Sequence, residues 1–454
     1  MGFARYQSPP GLLASPVPTG NSLMRDTSAE QVFEQRLVLG ILVAAVSYQA
    51  LLCLINTQVF SVSRAMVGLA EAIILAACLP LLVRRLLPGV IVILALMGAL
   101  LCLLTLLSGE LEIKAFRDLL IPLAFFWLGC NIGRPELADR ALTYAFTVVL
   151  TMGLFEFFLL DLYTQFFNIF GYYVNIGNLQ VITEYVRDSK LQMNGIRPEG
   201  IGRTLLPGLL GSHRVSSVFL EPVSLGNFAA ITAAWGLSRD KDDWREGIFF
   251  VCAAVVLMVL SDSRFALMSV SLMVAMRMVL SGKGLYLAIL APFGAIAIVM
   301  VAGAMIDERI GDTFLGRLAI SGWALAEFDV ATLLGAAPGE NFADMGYAYV
   351  LSTFSLPLCL LLWFSLWLLK IPDARGQRFR AFVSVYIALI LCVSGTSLFA
   401  FKTAALLWFL VGCTLRNPAP ESPSAQPLIK RVNQFHEAYS QAPQTQATRR
   451  KDVY

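Results

Sequence analysis

PGVIVILALMGALLCLLTLL, residues 88–107, holds no charged side chain. As a helix rising about 1.5 Å per residue it covers roughly 30 Å, the depth of a bilayer's hydrocarbon core. Similar apolar runs recur on both sides of it, at 37–55, 66–83, 116–133, 141–160, 222–238, 247–260, 265–280, 284–304, 346–369, 381–395 and 403–415. Several fall short of the roughly 20 residues a crossing needs. The pairs 247–260/265–280 and 381–395/403–415 read equally as tight hairpins or as single interrupted segments. The fold class expected is all-α, a polytopic integral membrane protein of about twelve transmembrane helices with two large outer loops.

Composition agrees. A chain of 454 residues that is 57% hydrophobic and only 14% charged fits no soluble globular class. Its net charge of +3 says less about partners than where the charges sit, and nothing points to nucleic acid. The cysteines, at 53, 78, 102, 130, 252, 359, 392 and 413, all lie in apolar runs without C-x-x-C spacing. They read as small apolar residues, neither disulfides nor a zinc site. Residues 1–36 are polar and rich in Pro, Ser and Gly, with no early apolar stretch, so no signal peptide is read there. They are expected to be a disordered cytoplasmic tail, as is 416–454, rich in Pro, Gln and Ser.

Lys and Arg set the expected orientation. With the N-terminus inside and the spans alternating, 22 of the 34 basic residues fall inside. Five of the others belong to one long loop, where the positive-inside rule is weakest. Both termini are then cytoplasmic. The long outer loops are 161–220 and 305–345; in the second, Leu315, Leu318, Gly322 and Leu325 recur at helical spacing. Glu71, Arg117, Asp118, Glu156, Asp161, Arg214, Glu221, Arg264 and Lys402 all fall near the outer ends of the spans, with Arg277 the main exception. Charge at membrane level is costly and is usually retained for a site. The pattern predicts a polar chamber open to one face.

Four segments could carry chemistry. Arg214-Val-Ser-Ser-Val-Phe-Leu-Glu221-Pro-Val-Ser-Leu-Gly226 runs from the first outer loop into a span. Glu221 there is either a helix cap ahead of Pro222 or an acid/base beside an anion-binding Arg214. In Ser261-Asp262-Ser263-Arg264, Ser263 reads as an N-cap and Arg264 as a headgroup anchor or a phosphate ligand. The stretch from Arg317 through Trp323, Gly335, Pro338, Glu340, Asn341 and Asp344 to Tyr347 and Tyr349 is an interfacial loop or the seat of a general base, Glu340 or Asp344. Lys402 either reaches the surface or binds a ligand. P-loop, G-x-S-x-G, H-E-x-x-H and dinucleotide fingerprints are all missing, and only His213 and His436 are present. Carboxylates, arginines and hydroxyls remain. They suit transfer of a sugar from a lipid diphosphate, in which cations stabilise the departing diphosphate and a carboxylate activates the acceptor hydroxyl.

In order and topology these segments resemble the Wzy-type polysaccharide polymerases of the O-antigen ligase/polymerase superfamily, in the bacterial exopolysaccharide branch. The resemblance spans residues 37–415. It rests on Arg214…Phe-Leu-Glu221-Pro…Gly226, Ser-Asp-Ser-Arg264, and Arg317…Trp323…Leu-Leu-Gly335-x-x-Pro-Gly…Asp344-x-Gly-Tyr. It implies a membrane glycosyltransferase of the bacterial inner membrane that joins undecaprenyl-diphosphate-linked oligosaccharide units at the periplasmic face, without metal, nucleotide sugar or other cofactor. It further implies separate chain-length and export partners. Carried over, Arg214 and Arg264 would clamp the diphosphate with Arg317 and Lys402 in support, and Glu221, Glu340 or Asp344 would be the base. The ligase branch carries a histidine in its second large loop; 305–345 has none, which favours a polymerase over a ligase. A flippase or other transporter of lipid-linked oligosaccharide is the alternative, although no repeat relates the two halves.

Overall fold

A computed structural model describes residues 21–415, apart from 109–112, 178–187, 193, 198–202, 208–210, 307–313, 336–341 and 343–344. For residues 21–29 and Leu104 it describes the backbone alone. Each of the twelve apolar runs is helical. The helices are α1 (Asn21–Gln58), α2 (Arg64–Leu82), α3 (Pro88–Ser108), α4 (Ile113–Ile132) and α5 (Pro135–Phe158). The short α6 (Leu160–Phe166) and α7 (Ile169–Asn175) follow. Then come α8 (Pro222–Leu237), α9 (Trp244–Ser261), α10 (Arg264–Val279), a 3-10 stretch Gly282–Leu290 continuing into α11 (Ala291–Met305), α12 (Phe314–Ala326) and α13 (Val330–Leu333). The last four are α14 (Gly346–Phe354), α15 (Leu356–Leu368), α16 (Ala374–Ile390) and α17 (Phe401–Cys413). The described residues hold no strand, only an isolated bridge between Ile196 and His213.

By length and composition six of these helical segments could cross a membrane, or seven if the bent pair α14/α15 is one span. The pair turns by 105° at Ser355, a non-glycine residue at φ 64°. Helices α8, α10, α16 and α17 have only 16, 16, 17 and 13 residues. This is the physical reason the sequence pattern overstates what length alone supports: short buried helices inside a bundle are as apolar as spans. Indeed α8 and α17 are buried almost throughout, whereas α2 and α3 turn Leu69, Ile73, Ile91, Val92 and Leu96 outward.

Three contacts between glycines let helices close up as membrane helices do when small residues face each other. A Cβ on Gly129 of α4 would meet Gly412 Cα of α17 at 2.9 Å and the Phe409 carbonyl at 2.4 Å. One on Gly236 of α8 would meet the Gly247 carbonyl of α9 at 2.9 Å, and one on Gly322 of α12 the Val299 carbonyl of α11 at 2.3 Å.

Two expectations change. The first helix begins at Asn21, inside the segment expected to be a disordered tail, and Glu30 and Glu34, one turn apart on it, both pair with Arg84. The amphipathic helix of the second loop exists as α12. Its buried stripe is Leu318, Ser321 and Gly322, while Leu315 is exposed. The C-terminal tail lies outside the described residues.

Candidate functional site

Glu221 occupies the N-cap position of α8, with Pro222 first in the helix, but its carboxylate makes no capping bond to the backbone. Three side chains donate to it instead. Tyr173 Oη lies 2.8 Å from Oε1; Ser224 Oγ and Lys402 Nζ lie 2.8 and 3.0 Å from Oε2. Lys402 does not reach the surface. Its side chain is 4% exposed, and its ammonium also donates to Gln49 Oε1 at 3.0 Å and the Phe219 carbonyl at 2.8 Å. An ammonium has three N–H groups, and all three find acceptors. The Glu221 side chain remains 29% exposed, so a buried cation holds a partly exposed acidic side chain.

From Lys402 a line of polar contacts crosses the bundle. Gln49 Nε2 donates to Tyr48 Oη at 3.3 Å, and Tyr48 Oη donates to Glu71 Oε1 at 2.7 Å. Arg117 lies 3.5 Å from Glu71 Oε2 and 2.7 Å from Asp118 Oδ1. Tyr349 Oη donates to Asp118 Oδ2 at 2.7 Å, and Lys114 sits over the Tyr349 ring, 5.0 Å from its centroid. Thus Glu221, Lys402, Glu71, Arg117 and Asp118, which the sequence placed at one level, form one connected array through α1, α2, α4, α8, α14 and α17.

The first and second sequence segments also meet. A Cβ on Gly226 would fall 2.1 Å from Ser263 Oγ, so the second turn of α8 rests on the start of α10. Ser263 caps α10, accepting from the Ala266 amide at 3.2 Å. Arg214, expected to bind anion, is buried and donates to the carbonyls of Ser261 at 3.0 Å and Asn194 at 2.9 Å. Burial, with Arg197 beside it, pushes its guanidinium down from the usual arginine range, but an arginine stays charged in proteins. Arg214 therefore ties the loop to the α9–α10 turn. Asp262 has the same kind of role, accepting from Arg197 Nε and from the amides of Thr204 and Leu205, each at 2.9 Å. Arg264 is exposed and donates through Nε to Thr204 Oγ1 at 2.6 Å. Among the described residues it has no carboxylate partner.

Glu156, fully buried on α5, receives the Ser216 amide at 2.9 Å and the Ser217 amide at 2.5 Å, with His213 Nε2 3.1 Å away. Ser217 and Leu220 have φ of 54° and 60°, conformations that cost L residues roughly 1 kcal/mol or more and persist when neighbours hold them. The Glu156 clamp holds the turn that delivers the Phe219 carbonyl to Lys402.

Arg317 on α12 is half-buried and reaches the Val393 carbonyl at 3.4 Å. The third segment is thereby seated against residues 391–395, just before α17; the Tyr347 amide donates to the Leu391 carbonyl there at 3.0 Å. Glu340 and Asp344 lie outside the described residues. A cavity of about 250 Å³ opens in the crook of α14/α15, lined by apolar side chains that include Leu119, Phe126, Phe293, Phe354, Trp363 and Trp408. Among the described residues no group of three or more His, Cys, Asp and Glu is placed to hold a metal.

Sequence reading missed Gln49, Tyr48 and Tyr173. A signal existed for Gln49, a lone amide inside the run 37–55, since polar groups in a span face the bundle interior. Compared with known proteins, the chain matches no family model, no curated protein and no solved structure.

Proposed function

We propose that this chain is a membrane glycosyltransferase that polymerises undecaprenyl-diphosphate-linked oligosaccharide units into an exopolysaccharide. Its working end is the Glu221–Lys402 end, facing the periplasm of a bacterial inner membrane. Twelve spans with both termini cytoplasmic complete this reading, which rests on the placement of Lys and Arg. One observation carries the chemistry: Lys402 keeps Glu221 charged and in place at a partly exposed position, beside the turn that bears the exposed Arg264.

In the reaction the acceptor sugar's hydroxyl oxygen bonds to the donor's anomeric carbon. The bond from that carbon to the diphosphate oxygen breaks, and its electron pair leaves with the diphosphate. Arg264, with Arg317, neutralises the leaving group, a task suited to a planar guanidinium fork. Glu221, already accepting from Lys402, Tyr173 and Ser224, is a poor proton acceptor and serves best to orient the hydroxyl. The proton goes to Glu340 or Asp344. The apolar cavity suits the carrier's prenyl chain. Arg214 acts by holding the loop and not by touching the diphosphate.

The test is a product assay: protein in lipid, native lipid-linked repeat units, no metal and no nucleotide sugar. A ladder of multiples supports the polymerase. Intact lipid-linked units crossing a sealed vesicle without a ladder would establish the flippase. One observation favours that second reading, the line of polar side chains through the bundle, because such groups also mark substrate pathways. Transfer of preformed chains to a lipid acceptor, with no ladder, would mean a ligase.

A further inference from the structure

We propose that Gln49 is a positioning residue, whose amide fixes the Lys402 ammonium on Glu221 and makes that pair rigid with the Glu71–Arg117 pair across the bundle. The role in turnover rests on the polymerase reading; the contact itself does not. The amide's orientation follows from its neighbours. Lys402 can only donate, so the amide oxygen must face it. Tyr48 spends its hydroxyl hydrogen on Glu71 Oε1 at 2.7 Å, so its lone pair must receive the Gln49 NH₂ at 3.3 Å. Only one of the two amide orientations satisfies both contacts.

Gln49 is also the link that separates two charged groups of different character. On one side stands Lys402 with Glu221; on the other, Glu71 and Asp118 share Arg117. A carboxylate or imidazole at position 49 could pass a proton between them. A carboxamide neither takes up nor gives off a proton in the ordinary range, so the line transmits position and not protons. Lys402 depends on this link because it is buried and each of its three N–H groups has one acceptor. Without the Gln49 oxygen one donor is left unpaired in a buried place, which favours a shifted ammonium. The Glu221 carboxylate moves with it.

The experiment uses full-length protein in lipid with Gln49→Met, Gln49→Glu, Lys402→Met and the Gln49→Met/Lys402→Met double variant. In the ladder assay, Gln49→Met is expected to lower kcat about tenfold with KM unchanged, as for an interaction realised in the transition state. Gln49→Glu keeps the acceptor for Lys402 but loses the donor to Tyr48, so its kcat is expected to lie between those of Gln49→Met and wild type, which loss of packing alone would not explain. Full kcat in Gln49→Met, or equal loss in Gln49→Glu and Gln49→Met, overturns the proposal. In thermal unfolding the two single Met substitutions should be non-additive in the double variant; simple addition of the two Tm losses overturns the contact whether or not any ladder forms. A wild-type protein that makes no ladder overturns the polymerase reading instead, and the unfolding cycle still decides the contact.

Discussion

Helix α8 joins two charged clusters about 24 Å apart along its 16 residues, and they are built differently. At its N-terminal end Lys402 meets Glu221, and neutral donors, Tyr173 and Ser224, complete the carboxylate. At its C-terminal end cations outnumber their buried partners. Asp139 receives the Trp235 indole at 2.7 Å, Arg375 at 3.2 Å, and Arg239. Arg239 also pairs with Glu246, and Arg378 pairs with Asp240 at 2.5 Å and donates to the Ser238 carbonyl at 2.7 Å. Glu246 and Asp240 are 64% and 54% exposed. Here buried arginines meet carboxylates that water can screen, and Arg375 lies 4.4 Å over the Trp235 ring. Such a cluster fastens helix ends. In the Lys402 cluster the cation is just as buried, but its carboxylate is held by that one cation and two neutral hydroxyls, one oxygen accepting among the described residues from Tyr173 alone.

That contrast can be broken experimentally. The largest effect is expected from Lys402→Met, which should abolish the polymer ladder and lower stability by about 2–3 kcal/mol, because Glu221 loses the one cation paired with it among the described residues while part of its side chain stays exposed. Adding Glu221→Gln should restore the Tm without restoring the ladder. Arg264→Ala should also abolish the ladder with the Tm unchanged, since the side chain is exposed, and Arg264→Lys should remain poor if the fork geometry matters; full ladders from both would remove Arg264 from the site. Arg214→Ala should act through stability, losing about 2 kcal/mol as carbonyls of Asn194 and Ser261 lose a charged donor. An unchanged Tm with no ladder would return Arg214 to the diphosphate. At the other end, Arg239→Gln should cost about 1 kcal/mol in a urea or thermal titration and leave kcat intact; a loss of turnover would erase the distinction between the two ends.

Much of this architecture was legible in the residues. Each of the twelve apolar runs became helical, the run 346–369 as two helices, because apolar periodicity and bilayer length act on each run alone. Which of them crosses was not legible, since α8 and α17 are buried by neighbours and not by lipid. The level of Glu71, Arg117, Asp118, Glu156, Glu221 and Lys402 was readable because each lies a countable distance from a span's end. Their pairing was not, because it depends on how distant helices pack. Lys402 and Glu221 stand 181 positions apart, and Tyr349 and Asp118 stand 231 apart. The carbonyl partners of Arg214 were not legible for a related reason. A basic residue beside a glutamate suggests a ligand, whereas the carbonyls it serves belong to a turn of backbone that sequence does not position.

The break at Ser355 bears on how the chain enters its membrane. Machinery that sorts segments by hydrophobicity meets residues 346–368 as one largely apolar stretch, interrupted at its middle by Ser352, Thr353, Ser355 and Pro357. The 105° corner is then fixed once Tyr347 has found the Ala388 carbonyl and Tyr349 has found Asp118. Those partners lie on helices synthesised later and much earlier. Pro357, one residue into α15, disfavours a continuous helix there from the start, but the full seating of the corner has to wait for α16.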